Sequence, residues 1–317
     1  MKVVITGANG AVGQAILRCR PEHGAAPDLF VAAVRSRRAA EQIESLSGNA
    51  GGVVQISYDD PGSLDAAFQG ASAVIHLAGI LVERPDSTYE QANVASARSV
   101  VEAARRNAVR KLVLVSATGA DESSPNRYYR TKGQAEALVR ASGLRYTVLR
   151  VPLLLGPGTA GAAALRRQVS GGNAKLVGGG RHLQQPLYVD DLARAAVLVA
   201  TAPSVANNAT LNLVGPVSLP ERELAQRAAR SLGREVRIGS VPRKLLFWML
   251  AIRQRFAGPG FSPDALEVIT ADTRLDSHAA ARELGIQLTG IDEMIQGSLA
   301  ARGESPAGAI SETSQLK

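Results

Sequence analysis

Residues 128–132 read YYRTK, setting two phenols four and three residues ahead of an ammonium in a chain with only six tyrosines. On a helix both spacings share a face, so Tyr128 and Tyr129 can each adjoin Lys132. A phenol with its ordinary pKa of about 10 exchanges a proton poorly near neutrality. A neighbouring ammonium favours the phenolate and brings the group toward the range in which general acid–base catalysis works well. Arginine fills thirty of the 36 basic positions. Lysine at 132 instead supplies a compact ammonium that can reach a phenol and a ribose hydroxyl together.

Further hydroxyls occur at the end of the fifth apolar run. The segment VSATGA offers Ser116 and Thr118, two residues apart and therefore on one side of a strand. The YYRTK pair also needs a cofactor to serve. TGANGAVG, residues 6–13, spaces Gly7, Gly10 and Gly13 between a strand and a helix, with Asn9 and Val12 in the same turn. Glycine there permits a tight turn, close approach of backbone to a pyrophosphate and close helix packing, and the helix amino terminus offers unpaired N–H groups to phosphate.

The end of the second strand sets the cofactor's type, since a carboxylate there binds a ribose 2′-hydroxyl whereas arginine suits a 2′-phosphate. The chain reads VRSRR, with Arg35 and Arg38 as the candidate clasp and Arg37 as decoration of the next helix. NADP(H) is favoured over NAD(H). Ser57 and Tyr58 end the third strand near the adenine, and Leu77, Ala78 and Gly79 end the fourth near the nicotinamide half. His76 is read as a strand histidine outside the chemistry.

These residues must be carried to one edge. Apolar, β-branched runs at KVVIT, LFVAAV, VVQIS, AVIHLA, KLVLVS and RYTVLR alternate with helical segments, including one over about 87–107 and one over about 126–141. Strands buried on both faces and joined by helices specify an α/β fold: a doubly wound parallel sheet, or Rossmann fold, with a smaller C-terminal substrate lobe. The predicted division is a dinucleotide-binding core at 1–150, a mixed lobe with returning Rossmann elements at 151–301, and a disordered tail at 302–317.

Composition narrows the function classes. With 317 residues, 45% hydrophobic and 20% charged, the chain can bury a large core. One cysteine, Cys19, excludes an intramolecular disulfide and reads as a buried, inert thiol. His23, His76, His182 and His278 lack zinc-like spacings, so no metal is expected. The net charge of +8 is spread over helical segments without interleaved aromatics, and no nucleic-acid partner is expected. No basic leader precedes the first strand, which predicts a cytoplasmic protein.

TGANGAVG, HLAG, the NV of YEQANVASA, VSATGA, YYRTK and VDDLARA together resemble the short-chain dehydrogenase/reductase superfamily, in its extended or atypical branch. YYRTKGQAE, GPGFSPDALEVITAD and the short approach from VSATGA to Tyr128 are most similar to atypical members related to the nucleotide-binding accessory subunit of respiratory complex I, and more distantly to NmrA-type regulators. The resemblance implies bound NAD(P). Its YxxxK pattern selects Tyr128 as the acid or base and leaves Tyr129 as a packing residue. It also has Lys132 bind the nicotinamide ribose, points to Thr118 as the orienting hydroxyl with Ser116 second, and gives Asn93 a minor structural role. The expected activity is NADP(H)-dependent hydride transfer to or from a carbonyl or alcohol. The alternatives are an NAD-dependent sugar-nucleotide epimerase or dehydratase, which the nine residues between Thr118 and Tyr128 leave little chain to build, and an NADP(H)-binding regulatory or assembly protein without turnover.

A further segment stands apart. Residues 242–256, PRKLLFWMLAIRQRF, carry an apolar run with basic ends, too short to span a bilayer. It is suited to a membrane surface, to closing over a hydrophobic small-molecule substrate, or to packing on the Rossmann lobe or a second subunit.

Overall fold

The computed structural model describes residues 1–19, 30–47, 52–202 and 204–300. His23 and the tail at 302–317 lie outside the described residues. The first part alternates β1 (Lys2–Thr6), α1 (Ala11–Arg18), β2 (Phe30–Val34), α2 (Arg37–Ser47), β3 (Val53–Gln55), α3 (Pro61–Phe68), β4 (Ala71–His76), α4 (Ser96–Arg106), β5 (Lys111–Ala117), α5 (Arg127–Arg140) and β6 (Arg145–Val151). The second contains β7 (Leu154–Leu155), α6 (Ala160–Ser170), β8 (Asn173–Val177), β9 (Leu183–Gln184), β10 (Leu187–Tyr188), α7 (Val189–Thr201), β11 (Ala209–Asn212), β12 (Leu219–Pro220), α8 (Glu221–Ser231), β13 (Arg237–Val241), α9 (Arg243–Ala257), α10 (Pro263–Ile269), α11 (Ser277–Leu284) and α12 (Ile291–Leu299).

Seven strands form one parallel sheet in the order β11-β6-β5-β4-β1-β2-β3. The order reverses between β1 and β4, where a doubly wound sheet opens a crevice at the strands' carboxyl ends. Alternation along the strands divides the core. Val3, Ile5, Ala32 and Val34 pack on one face with Ile16 of α1 and Leu192 of α7, while Val4, Val31, Ala33 and Val74 pack on the other with Phe68 of α3, Val100 of α4 and Val139 of α5. Burying each large aliphatic side chain contributes about 1.5–3 kcal/mol, which is why runs apolar on both faces choose this arrangement.

Beyond β6 the chain first leaves and then rejoins this sheet. β11 pairs with β6 as the seventh strand, and α7 packs beneath it. The lobe has its own small core, in which Leu165 of α6, Leu224 of α8 and Met294 of α12 meet. Asp191, the second aspartate of VDDLARA, accepts from the backbone N–H and the hydroxyl of Thr289, fastening the segment before α12 to α7.

Two local features differ from the sequence expectation. The helix expected from about residue 87 begins instead with a π-helical turn, Glu90–Ala95, ahead of α4. Thr88 and Gln91 cap this turn reciprocally: Thr88 N–H donates to Gln91 Oε1 at 3.1 Å and Gln91 N–H donates to Thr88 Oγ1 at 3.3 Å. Cys19 stands at the C-cap of α1 and is half-buried rather than buried, because the helix ends there and its last turn reaches the surface.

Candidate active site

The crevice begins with the glycine turn. Gly7 has φ +76°, and a Cβ there would stand 3.3 Å from the backbone nitrogen of Ala78, so the turn after β1 approaches the end of β4 closely. A Cβ on Gly13 would overlap the Ala8 backbone, so α1 packs against the turn only with glycine at that position. Gly10 is the N-cap of α1, with φ −73° and ordinary room for a Cβ. Its carbonyl accepts from Gln14 N–H, and the Asn9 carbonyl accepts from Gln14 Nε2. Val12 packs partly buried against the core beneath.

Along the same edge, Arg35 and Arg38 are exposed after β2. Arg37 forms an ion pair with Glu41 along α2 at 3.1 Å, whereas Arg35 and Arg38 make no ion pair with the described residues. Ser57 is exposed after β3, its N–H donating to Ser63 Oγ and its own Oγ accepting from Asp59 N–H. Tyr58 is half-buried, and burial raises its phenol pKa against the opposing effects of a hydrogen bond to Thr6 and the charge of Arg35.

Tyr58 also meets the ring of His76 edge-on, with centroids 6.0 Å apart. His76 is buried, with Nδ1 2.7 Å from Thr6 Oγ1 and Nε2 3.4 Å from Ser96 Oγ. The Ser96 hydroxyl donates to the Ala92 carbonyl, so its oxygen is left to accept from Nε2–H, and Nδ1 accepts from Thr6. Burial first, and then the Lys132 ammonium, lower the His76 pKa to about 3. The ring is therefore a neutral, satisfied brace between β1, β4 and α4.

Lys132 is buried on α5, and its Nζ donates to the Val115 carbonyl at 3.0 Å. A Cβ on Gly79 would stand 3.3 Å from this nitrogen and 3.0 Å from Asn93 Oδ1. The ammonium, the Asn93 amide and the end of β4 therefore converge on one point of the crevice. Asn93 sits in the π-helical turn, where such turns often serve functional sites. It accepts from Ile80 N–H at 3.3 Å and donates to Thr131 Oγ1 at 3.0 Å. Burial lowers the Lys132 pKa to about 8, with Glu136 opposing.

The two hydroxyls of VSATGA part company. Ser116 Oγ donates to Glu136 Oε1 at 2.6 Å, and Glu136 is fully buried beneath Arg150 and Arg140. Thr118 lies past the end of β5, half-buried, with its N–H on the Val151 carbonyl. Asn126 caps α5 by accepting from the N–H groups of Tyr128 and Tyr129.

Tyr128 is half-buried and packs edge-on against Tyr89 at 5.8 Å and Tyr129 at 5.7 Å, while Tyr129 lies against Gly119. Burial, then Tyr129 and Tyr89, push the Tyr128 phenol well above its ordinary pKa. This reverses the lowering expected from a neighbouring ammonium: Lys132 is turned toward Val115 and Gly79, and dehydration of the phenol dominates.

Sequence reasoning missed the frame around this tyrosine. Glu83 is buried, accepts from Tyr89 N–H, and holds the Arg127 guanidinium through two bonds of 2.9 and 3.0 Å. Arg127 also lies 5.5 Å from the Tyr89 ring centroid. From α10, Asp264 Oδ1 accepts from Arg127 N–H, and its carbonyl accepts from Asn126 Nδ2. Thr88-x-x-Gln91 was a legible capping signal, but no short pattern marks partners more than 130 residues apart.

The donor set fits a dinucleotide. Gly10 keeps the start of α1 free of a side chain, and the Lys132 ammonium, with one hydrogen bond to the described residues, keeps donors for a ribose. Residues 7–179 match the family model described as NAD(P)H-binding. The chain is 30% identical over 263 residues to 2-alkyl-3-oxoalkanoate reductase of Stenotrophomonas maltophilia, covering 74% of this chain and 76% of that protein. It is 28% identical over 247 residues to the mitochondrial NADH dehydrogenase [ubiquinone] 1 alpha subcomplex subunit 9 of Arabidopsis thaliana, covering 74% and 61%. Its first curated relatives are matched over only 47% to 64% of their own length. Among solved structures, the NADP(H) complex of Citrobacter sp. triphenylmethane reductase superposes with a TM-score of 0.72 at 24% identity, covering 94% of this chain and all of that one, and shares the fold. The chain belongs to the NAD(P)H-binding Rossmann family, with extended short-chain dehydrogenase/reductase and NmrA-like relatives that include complex I subunits.

Proposed function

We propose that the protein is an NADP(H)-dependent oxidoreductase acting on a carbonyl or alcohol of a hydrophobic small molecule. The observation that carries this reading is the convergence of Lys132 Nζ and the Asn93 amide on Gly79, at the point where the sheet order reverses. When bound, the nicotinamide supplies or accepts the hydride. Lys132 binds the ribose beside it, and its positive charge favours negative charge developing on a nearby oxygen. Tyr128 holds the proton that the reacting oxygen gains or loses. Its raised pKa keeps the phenol protonated, so the proton is present for the more basic alkoxide that hydride transfer to a carbonyl produces, which favours the direction of reduction. Thr118 orients that oxygen through its hydroxyl. Arg35 and Arg38 pair with a 2′-phosphate, for which their exposed guanidinium groups at the end of β2 are suited. The named activity of the Stenotrophomonas relative, an oxoalkanoate reductase, supports a ketone as the substrate class.

A second reading, a cofactor-binding regulatory or assembly protein without turnover, is favoured by the Tyr128 phenol, which burial raises rather than lowers, while Lys132 Nζ donates to the Val115 carbonyl. The test begins with calorimetry of NADPH and NADH on the same preparation, repeated after Arg35→Asp. NADPH is expected to bind more tightly, and the substitution to remove the difference; equal affinities in the parent would sink the NADP(H) assignment. Absorbance at the nicotinamide band is then followed with a panel of apolar ketones. Consumption of NADPH supports the reductase. Tight binding without consumption supports the second reading, and substrate conversion with no net absorbance change indicates an epimerase or dehydratase.

A further inference from the structure

α9 is apolar over most of its length yet lies largely in solvent. Leu246, Leu250 and Gln254 turn inward, while Leu245, Phe247, Trp248, Met249, Ile252 and Phe256 are exposed, Trp248 by 64% and Phe256 by 81%. Five of the six, all but Phe247, fall at helical spacings i, i+3, i+4, i+7 and i+11 from Leu245, which places them in one stripe about 100° wide, with Phe247 outside it. That stripe is the reverse of an ordinary surface helix, whose apolar side turns to the core. Contiguous apolar patches of this kind mark a surface that meets something.

The flanks indicate what it meets. At 3.6 residues per turn, Arg253 borders the stripe on one side and Arg255 and Lys244 border it on the other, each roughly 80–100° from its centre. Arg243 adds a fourth cation at the amino end, and the helix contains no acidic residue. An isologous contact with a second copy would set four cations against four with no carboxylate from either helix between them, which opposes self-association through this face. Closure over the candidate site is opposed by direction, because the helix rests on its neighbours through Leu246 and Leu250 and presents the stripe to solvent. An apolar stripe rimmed by cations, with tryptophan and phenylalanine within it, has the chemistry of a helix lying in the headgroup layer of an anionic bilayer.

We propose that α9 docks the protein on an anionic membrane surface, lying parallel to it with Leu245, Trp248, Met249, Ile252 and Phe256 in the acyl boundary and Lys244, Arg253 and Arg255 among phosphates. Among the described residues no helix is long and apolar enough to cross a membrane, so the contact is peripheral. α9 packs on α10, which in turn holds the amino end of α5 through Asp264. Docking would therefore bring Tyr128 within two elements of the lipid, whether or not the site turns over substrate.

Trp248 is the only tryptophan, so its emission reports this helix alone. The full-length chain is titrated with vesicles of phosphatidylcholine, and with vesicles of phosphatidylcholine mixed with phosphatidylglycerol, at low and high salt, and sedimentation is measured in parallel. A blue shift and co-sedimentation are expected with the anionic vesicles at low salt, with affinity at least about tenfold weaker on neutral vesicles or at high salt. Ile252→Glu and Phe256→Glu are expected to abolish both signals while leaving the melting temperature unchanged, since both side chains are exposed. Unchanged emission and protein left in the supernatant at low salt would overturn the proposal. So would a blue shift that grows with protein concentration without vesicles while light scattering shows a doubled mass, since a second copy would then cover the stripe.

Discussion

The hydroxyl of Ser116 donates to Oε1 of Glu136 across 2.6 Å, beneath the crevice rather than into it. Glu136 is buried and shared with Arg150 and Arg140, so Ser116 belongs to a charge-assisted network that fixes α5 on β5 and β6. Ser116→Ala should cost about 1.5–3 kcal/mol of stability, read as a lowered denaturation midpoint, with kcat within a few-fold of the parent. Thr118→Val should do the opposite, leaving the midpoint nearly unchanged and lowering turnover. Equal loss of activity in the two variants would remove the distinction between a bracing and an orienting hydroxyl.

Tyr128 and Lys132 are expected to separate in their effects on pH. Tyr128→Phe should lower turnover by about 10²- to 10⁴-fold while leaving the NADPH dissociation constant within about twofold, and Tyr129→Phe should retain most activity. The Lys132 pKa is lowered to about 8, so its charge is present below that pH and is lost as pH rises through it. Carbonyl reduction should therefore be flat on the acid side and fall above pH about 8, since the raised Tyr128 phenol stays protonated throughout that range. A kcat/KM profile that rises with pH through 8 would contradict the assignment of Tyr128 as the donor.

The sheet was legible because its signal is local and repeated: KVVIT, AVIHLA and KLVLVS are each apolar on both faces, and the helices between them fix a parallel order. The glycine turn, Lys132 and Gly79 were legible for the same reason, each lying at a strand end or on one helix face. Glu83 and Arg127 were not, because their pairing joins a loop to a helix 44 residues later. The direction of the Tyr128 pKa was misread because spacing along α5 shows which side chains share a face, whereas burial of the phenol, with Tyr89 packed on it from outside that helix, depends on packing between elements. The π-helical turn around Asn93 was likewise hidden, since its pattern of polar and apolar residues is compatible with an ordinary helix.

The glycines of the cofactor turn should fail in different ways. A Cβ on Gly13 would overlap the Ala8 backbone, which cannot move like a flexible side chain, so Gly13→Ala should destabilise the fold by about 1–3 kcal/mol and weaken nucleotide binding together with it. Gly10 has an ordinary φ, and a Cβ there would meet the Gly7 carbonyl at 3.4 Å. Gly10→Ala should keep the parent melting temperature yet bind NADPH more weakly, because the added methyl occupies the approach to the helix amino terminus. Thermal melting and calorimetry on the two variants distinguish these outcomes, and a Gly13→Ala protein as stable as the parent would contradict the packing.

His76 makes the fold sensitive to acid. Its ring is buried and neutral, with the folded pKa lowered from 6.5 to about 3. Between those values the unfolded chain binds a proton that the folded one refuses, so stability rises with pH across this window and is lost as pH falls from about 6.5 toward 3. The slope from this one residue approaches 1.4 kcal/mol per pH unit in the middle of the window. Carboxylates add their own acid sensitivity below about pH 5. The contribution of His76 should therefore stand out between pH 6.5 and 5, where denaturant unfolding of His76→Gln is expected to show a flatter pH dependence than the parent. The variant should also be less stable at pH 7, where the Thr6 and Ser96 hydroxyls lose a well-fitted partner. Parallel stability curves for parent and variant from pH 7 to 5 would show that the imidazole titrates without cost and that the brace between β1, β4 and α4 does not depend on its neutrality.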